Sequence, residues 1–146
     1  MDTKEALIKY CLRLGDNAMV LGHRMSEWSS HGPILEEDIA LSNIGLDLFG
    51  QCRMMFNYAA ELEGNGKTED DFAYKRAERD FYNVILTEQP NGHFGNTIAR
   101  QLLFSLWAKY MCTALMQSND QTVAAFAAKS IKEVNYHVRH ASQWLI

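Results

Sequence analysis

Carboxylates and imidazoles at one-turn spacing are the residues of this chain best suited to chemistry. Glu133 and His137 stand at i and i+4, with His140 three residues on. Asp16 and His23 are seven residues apart, and Glu27 follows four residues later. Asn43, Asp47 and Gln51 recur every four residues. On helices each set lies along one face. Oxygen and imidazole nitrogen together are donors for a carboxylate-rich metal site. Helical bundles that hold two irons take one carboxylate from each of two helices and a Glu-x-x-His pair from each of the other two. The step here is Glu-x-x-x-His, one residue longer. Residues 91–119 contain no Asp and no Glu at all, so a helix there has no carboxylate to contribute. The pattern is the shape of a metal-binding bundle without a full donor set.

Each set also has a plainer reading. Glu133 and His137 form a surface ion pair or an inward pair without metal, the former worth a few tenths of a kcal/mol. Asp16 and His23 pair with Arg or Lys from a neighbouring helix. Asn43, Asp47 and Gln51 point either to solvent or inward. Gly45 and Gly50 favour inward, because glycine costs up to about 1 kcal/mol in a helix interior and two of them imply a close neighbour. The acid-free stretch offers Arg100, Gln101, Ser105, Trp107, Lys109 and Tyr110. If Arg100 or Lys109 faces the axis, it neutralises Asp47 or Asp16 where a metal ion would otherwise sit; the commoner reading is a surface charge whose stem lies along the helix.

Four long helices must position these groups. The first is expected over about Thr3 to Trp28, from the spacing of Leu7, Ile8, Cys11, Leu12, Met19, Val20 and Met25, with Asp2 or Thr3 as its cap. Ser29-Ser30-His31-Gly32-Pro33 breaks the chain. The second runs from near Pro33 to about Leu62, with Glu36, Glu37 and Asp38 in its first turns where the helix dipole favours negative charge. It stops at Gly64-Asn65-Gly66. A shorter charged helix, about Glu69 to Leu86, is expected in the crossover with signs alternating on an exposed face. The third long helix spans about Phe94 to Gln117, and the fourth runs from about Gln121 to the end. Four helices with a long second connection predict an all-α, ferritin-like four-helix bundle in a single domain over 1–146. The fourth helix reaches Trp144-Leu145-Ile146 with no stop signal, so a fragment of a longer chain is expected.

Composition narrows the classes further. The 146 residues suffice for one core. A net charge of −4 gives no basic footprint for nucleic acid. No apolar run reaches the roughly 18 residues of a membrane span, and the amphipathic N-terminus is not a signal peptide. Cys11, Cys52 and Cys112 form no Cys-x-x-Cys pair; as buried free thiols they fit a reducing cytoplasm. No serine sits in a Gly-x-Ser-x-Gly elbow. The methionines fall at helical spacing and read as core filler.

Residues 14–64, 78–107 and 127–145 resemble the phenylacetate-degradation PaaC family. The likeness is carried by the Leu-Gly-His region before Ser26-Glu27-Trp28, the Glu36-Glu37-Asp38 start, the Asp47-Leu48-Phe49-Gly50-Gln51 step, the Glu88-Gln89-Pro90-Asn91-Gly92 turn and the Lys132-Glu133-Val134-Asn135-Tyr136-His137 step. The resemblance implies a ferritin-like fold and a non-catalytic structural subunit of a multicomponent phenylacetyl-CoA 1,2-epoxidase. Its partner would be a homologous catalytic subunit with the di-iron centre, and electrons would come from a separate flavin and iron–sulfur reductase. In that catalytic relative the second-helix step reads Asp-Glu-x-Gly-His, with Glu and His as ligands. Here Leu48 replaces the Glu and Gln51 the His, and His137 survives as the relic of a ligand. The resemblance therefore implies no catalytic or metal residue in this chain, with Asp16, Asp47, Leu48, Gln51, Glu133 and His137 as degenerate positions. Two alternatives remain open. One is a single mononuclear site built from Asp16, His23, Asp47, Glu133 and His137; the other is a homodimeric bundle without a partner. Trp28, Phe49, Phe56, Trp107 and Trp144 are candidate contact residues.

Overall fold

The structure is a computed structural model, and it describes residues 2–146. Helix α1 spans Thr3–Ser26 and α2 spans Leu35–Glu63. The crossover contains α3, Glu69–Tyr74, a 3-10 turn at Glu78–Asp80 and the single turn α4, Ile85–Glu88. Helices α5, Phe94–Leu115, and α6, Gln121–Leu145, complete an all-α bundle consistent with the ferritin-like arrangement. Helix α1 lies along α2 and α5 along α6, and the two hairpins meet mainly where α2 faces α6.

The first hairpin follows from a seven-residue apolar repeat. Cys11, Gly15, Ala18, Gly22 and Met25 on α1 face Leu41, Gly45, Leu48, Cys52, Met55 and Ala59 on α2, and all are buried. Alternating steps of four and three residues keep one seam turned toward the neighbour and give the shallow crossing of helical bundles. The small residues set how closely the helices approach. A Cβ on Gly15 would stand 2.4 Å from Phe56 Cε1, so the ring occupies the space a side chain would need. A Cβ on Gly45 would meet Ser26 Oγ at 3.2 Å and the Gly22 carbonyl oxygen at 3.4 Å. The neighbour expected at Gly45 is thus α1. Gly50 does not share this role, because a Cβ there would meet none of the described atoms within 4 Å.

The long helices start where expected at Thr3, Phe94 and Gln121, and their other ends differ from expectation by one to two residues. Asp2 occupies the N-cap of α1 without a side-chain capping bond. Gly64 closes α2 in the left-handed region, φ 67°, and its N–H donates to the Ala60 carbonyl. His93 caps α5, accepting from the Gly95 N–H at 3.0 Å, and Asp120 caps α6, accepting from the Val123 N–H at 2.9 Å. The Asp120 carboxylate also accepts from the Tyr58 hydroxyl at 2.6 Å, which ties α2 to the start of α6.

The single crossover helix expected over Glu69–Leu86 is broken. Thr68 and Asp71 form a capping box that starts α3, but the helix stops after six residues. What holds the later part of the crossover out of a helix lies on α1. The Asp16 carboxylate accepts from the Tyr82 N–H at 2.8 Å, and the Asn17 side-chain oxygen accepts from the Val84 N–H at 2.8 Å. Those N–H groups would otherwise serve a helix, and taking them holds the backbone around Phe81 and Val84 extended. Buried polar groups on α1 thus fold the crossover.

The thiols sit inside this packing. Cys11, Cys52 and Cys112 are all free and buried. Burial pushes Cys11 and Cys52 up to about 12, with nearby carboxylates adding to the effect, and burial together with Glu133 pushes Cys112 up to about 11. The native protein holds these protons above the ordinary thiol value of 9.0, while the unfolded chain releases them. Their contribution is therefore intact below pH 9 and is lost as pH rises toward 12. The urea midpoint should fall steadily across that range. A thiol reagent at pH 8 should label none of the three cysteines quickly until the protein is unfolded; a fast-reacting native thiol would contradict the packing.

Candidate functional site

The polar residues singled out by spacing do lie between helices, but each is closed into its own pair. Asp47 and His137 meet across α2 and α6, with His137 Nε2 at 2.9 Å from Asp47 Oδ2. His137 is fully buried and the Asp47 side chain is one-third exposed. One turn along, Gln51 Nε2 donates to Glu133 Oε2 at 3.0 Å. Toward the opposite end, His140 Nε2 lies 2.7 Å from Glu37 Oε2, and both side chains are largely buried. Three polar rungs thus join the hairpins along α2 and α6. Glu133 and His137, one turn apart on α6, reach across to α2 rather than to each other.

The Asn43–Asp47–Gln51 stripe is graded. Asn43 is exposed, Asp47 half-buried and Gln51 buried. Leu48 is buried in the core beside them. The stripe runs from solvent into the helix–helix seam, so neither simple reading describes all of it.

Asp16 is fully buried and paired with Arg76 of the crossover. Arg76 Nη1 donates to Asp16 Oδ2 at 3.0 Å, and Nη2 donates to Oδ1. The guanidinium lies 4.2 Å from the Phe81 ring centroid, with Phe56 at 5.3 Å and Phe72 at 5.9 Å. The inward-pairing reading of Arg100 and Lys109 does not hold, since neither neutralises Asp16 or Asp47. Arg100 is buried, yet it donates to the Gln89 carbonyl at 2.8 Å and to Asn91 Oδ1 at 2.8 Å. Its job is to fasten the Gln89–Asn91 turn to α5. Lys109 points to solvent. Arg76 is missed by sequence reasoning because it sits in a stretch of alternating charges that reads as exposed. Glu37 is missed because a carboxylate in a first helical turn is already explained by the dipole.

His23 is exposed, its ring 5.2 Å from that of Phe49, and Glu27 pairs with Arg24 at 3.0 Å and accepts from Asn91 Nδ2 at 2.8 Å. Asp16, His23, Asp47, Glu133 and His137 therefore do not converge. Among the described residues no three His, Cys, Asp or Glu side chains gather as metal ligands would. Inward from α5 come Gln101 and Ser105, the amide donating to the hydroxyl at 3.0 Å. The donors between α2 and α6 are two imidazole–carboxylate pairs, each closed on itself, and one amide–carboxylate pair, with a leucine beside them, and this set does not fit a di-iron centre.

The candidate contact residues separate cleanly. Phe56 is core, Trp28 donates to Thr97 Oγ1 at 3.0 Å, and Phe49 is half-buried against α1. Trp107 and Trp144 are nearly half exposed. Among the described residues no helix is long and apolar enough to cross a membrane.

A curated relative, one of the subunits of the 1,2-phenylacetyl-CoA epoxidase of Escherichia coli, is 53% identical over 139 residues. The match covers 95% of this chain and 56% of the relative, so the chain spans little more than half that protein's length. The match to the phenylacetic acid catabolic protein family covers residues 1–146, and the chain belongs to that family.

Proposed function

We propose that this chain is a non-catalytic structural subunit of a multicomponent phenylacetyl-CoA 1,2-epoxidase in aerobic phenylacetate catabolism, docking on a homologous di-iron catalytic subunit and supporting it. One observation carries the reading. Where the resemblance expects ligand Glu and His, the α2 step presents Leu48 to the core and Gln51 to Glu133, so those positions are committed to packing and to an amide–carboxylate hydrogen bond. Leucine has no donor atom, and an amide oxygen is a weaker ligand than imidazole for iron. The likeness to a subunit of a phenylacetyl-CoA epoxidase supplies the reaction and the partner class. Buried free thiols suit a reducing cytoplasm.

On this reading the chain's residues contribute rigidity rather than turnover. Three rungs fix α6 against α2, and the Asp16–Arg76 pair fixes the crossover, giving the catalytic subunit a preformed surface. The test is co-expression with a di-iron homologue, scored for a co-purifying complex and for epoxidation of phenylacetyl-CoA. The expected result is a complex whose activity depends on this chain, with none from this chain alone. Full epoxidation by the catalytic subunit in its absence would overturn the supporting role.

A further inference from the structure

Helix α5 carries apolar residues on both sides. Its inner face buries Ile98, Phe104, Ala108 and Cys112 together with Thr97, Arg100, Gln101 and Ser105. Its outer face exposes Leu103, Leu106, Trp107 and Tyr110, between one-third and three-quarters open. These four follow helical spacing and form one stripe. Contiguous exposed apolar surface marks an interaction site.

Charge narrows the occupant. Residues 94–146 carry five cations and two carboxylates, net +3, in a chain whose net charge is −4; Arg100 is buried against the Gln89–Asn91 turn, and the exposed cations are Lys109, Lys129, Lys132 and Arg139. Both carboxylates are engaged: Asp120 caps α6 and accepts from Tyr58, and Glu133 accepts from Gln51. Lys109 stands on α5 three residues from Leu106 and is exposed. The second hairpin is therefore an apolar stripe in a basic setting, on a protein acidic elsewhere. Pairing two copies through this face by a two-fold axis would bring like charges together.

We infer that the outer face of α5, centred on Trp107, is the surface that receives a different subunit of the epoxidase, through a helical face that is apolar at its centre and acidic at its rim. This rests on the reading given under Proposed function and names the site by which it operates. Trp and Tyr are the residues that most often anchor such interfaces, and rim cations act mainly on association rate and salt dependence.

The experiment measures affinity between this chain and a purified di-iron subunit homologue at two salt concentrations, for wild type, Trp107→Glu and Lys109→Glu. Far-ultraviolet circular dichroism and the melting temperature of each variant are recorded first. The expected result is a loss of about 100-fold or more for Trp107→Glu, as for an interface anchor, with a smaller loss and a flatter salt dependence for Lys109→Glu. If Trp107→Glu does not fold, the Lys109→Glu salt dependence decides, because Lys109 is exposed and outside the core. Wild-type binding matched by both variants overturns the inference and leaves the proposed function standing. Failure of the wild type to bind overturns both. A homodimer abolished by Trp107→Glu, or shielding of Trp107 by further residues of a longer form of the chain without a partner, also overturns it.

Discussion

Replacing Asp16 with Ala should destabilise the protein by about 3–5 kcal/mol, the usual cost of leaving one member of a buried ion pair alone. Asp16 is fully buried and the Arg76 side chain is only 13% exposed. Without the carboxylate, the guanidinium stays among Phe56, Phe72 and Phe81 with no counter-charge, and the Tyr82 N–H loses its acceptor. The extended segment around Phe81 to Val84 loses the bonds that hold it, so the loss reaches beyond one pair. Urea unfolding at neutral pH measures it as a lower midpoint. Folded domains rarely exceed about 15 kcal/mol of total stability, so the variant should be near or past the point of failing to accumulate. Replacing Asp16 and Arg76 together by apolar residues of similar volume should recover the part of the loss that comes from the uncompensated charge, but not the part from the Tyr82 N–H, which still lacks its acceptor. A single variant within about 0.5 kcal/mol of wild type, the range of ordinary surface changes, would contradict this account of the crossover.

Phe56→Ala should cost a similar amount, about 3–5 kcal/mol, through lost transfer energy and the cavity left behind. The ring is 1% exposed and fills the notch above Gly15. It stands 5.9 Å from the Phe72 ring and 5.3 Å from the Arg76 guanidinium. Gly15 has no side chain with which to fill the space, so collapse would require α1 and α2 to shift. Because Phe56 and Asp16 share Arg76, the two substitutions should not add. A double-mutant cycle should show a coupling of about 0.5–3 kcal/mol; strict additivity would mean that Arg76 does not link them.

How much of this was legible beforehand depends on the range of the interaction. The extents of α1, α2, α5 and α6 follow from local apolar spacing and nearby breakers such as Gly64 and Pro33, and they agree within a couple of residues. The crossover does not, because its backbone is shaped by Asp16 and Asn17, more than sixty residues earlier. The same distance hides the charge partners. Asp16 and Arg76 are 60 residues apart, Asp47 and His137 are 90, and Glu37 and His140 are 103. Nothing local at Arg76 distinguishes it from Lys75 or Arg79, although it alone of the three turns inward. Spacing did place His137, Glu133 and Gln51 on faces that meet, but it could not choose the partner of each. The absence of carboxylates on the third long helix is the site feature most fully readable from the residues alone, since it requires no knowledge of orientation.

The most direct measurement is iron content after anaerobic loading of the purified chain with ferrous iron and removal of excess by gel filtration. The account predicts no stoichiometric iron, because Asp47, Glu133 and Asp16 are each bonded to a neighbour of this chain and no third donor joins them. One or two irons retained per chain, and lost on changing Asp47 or His137 to Ala, would contradict it.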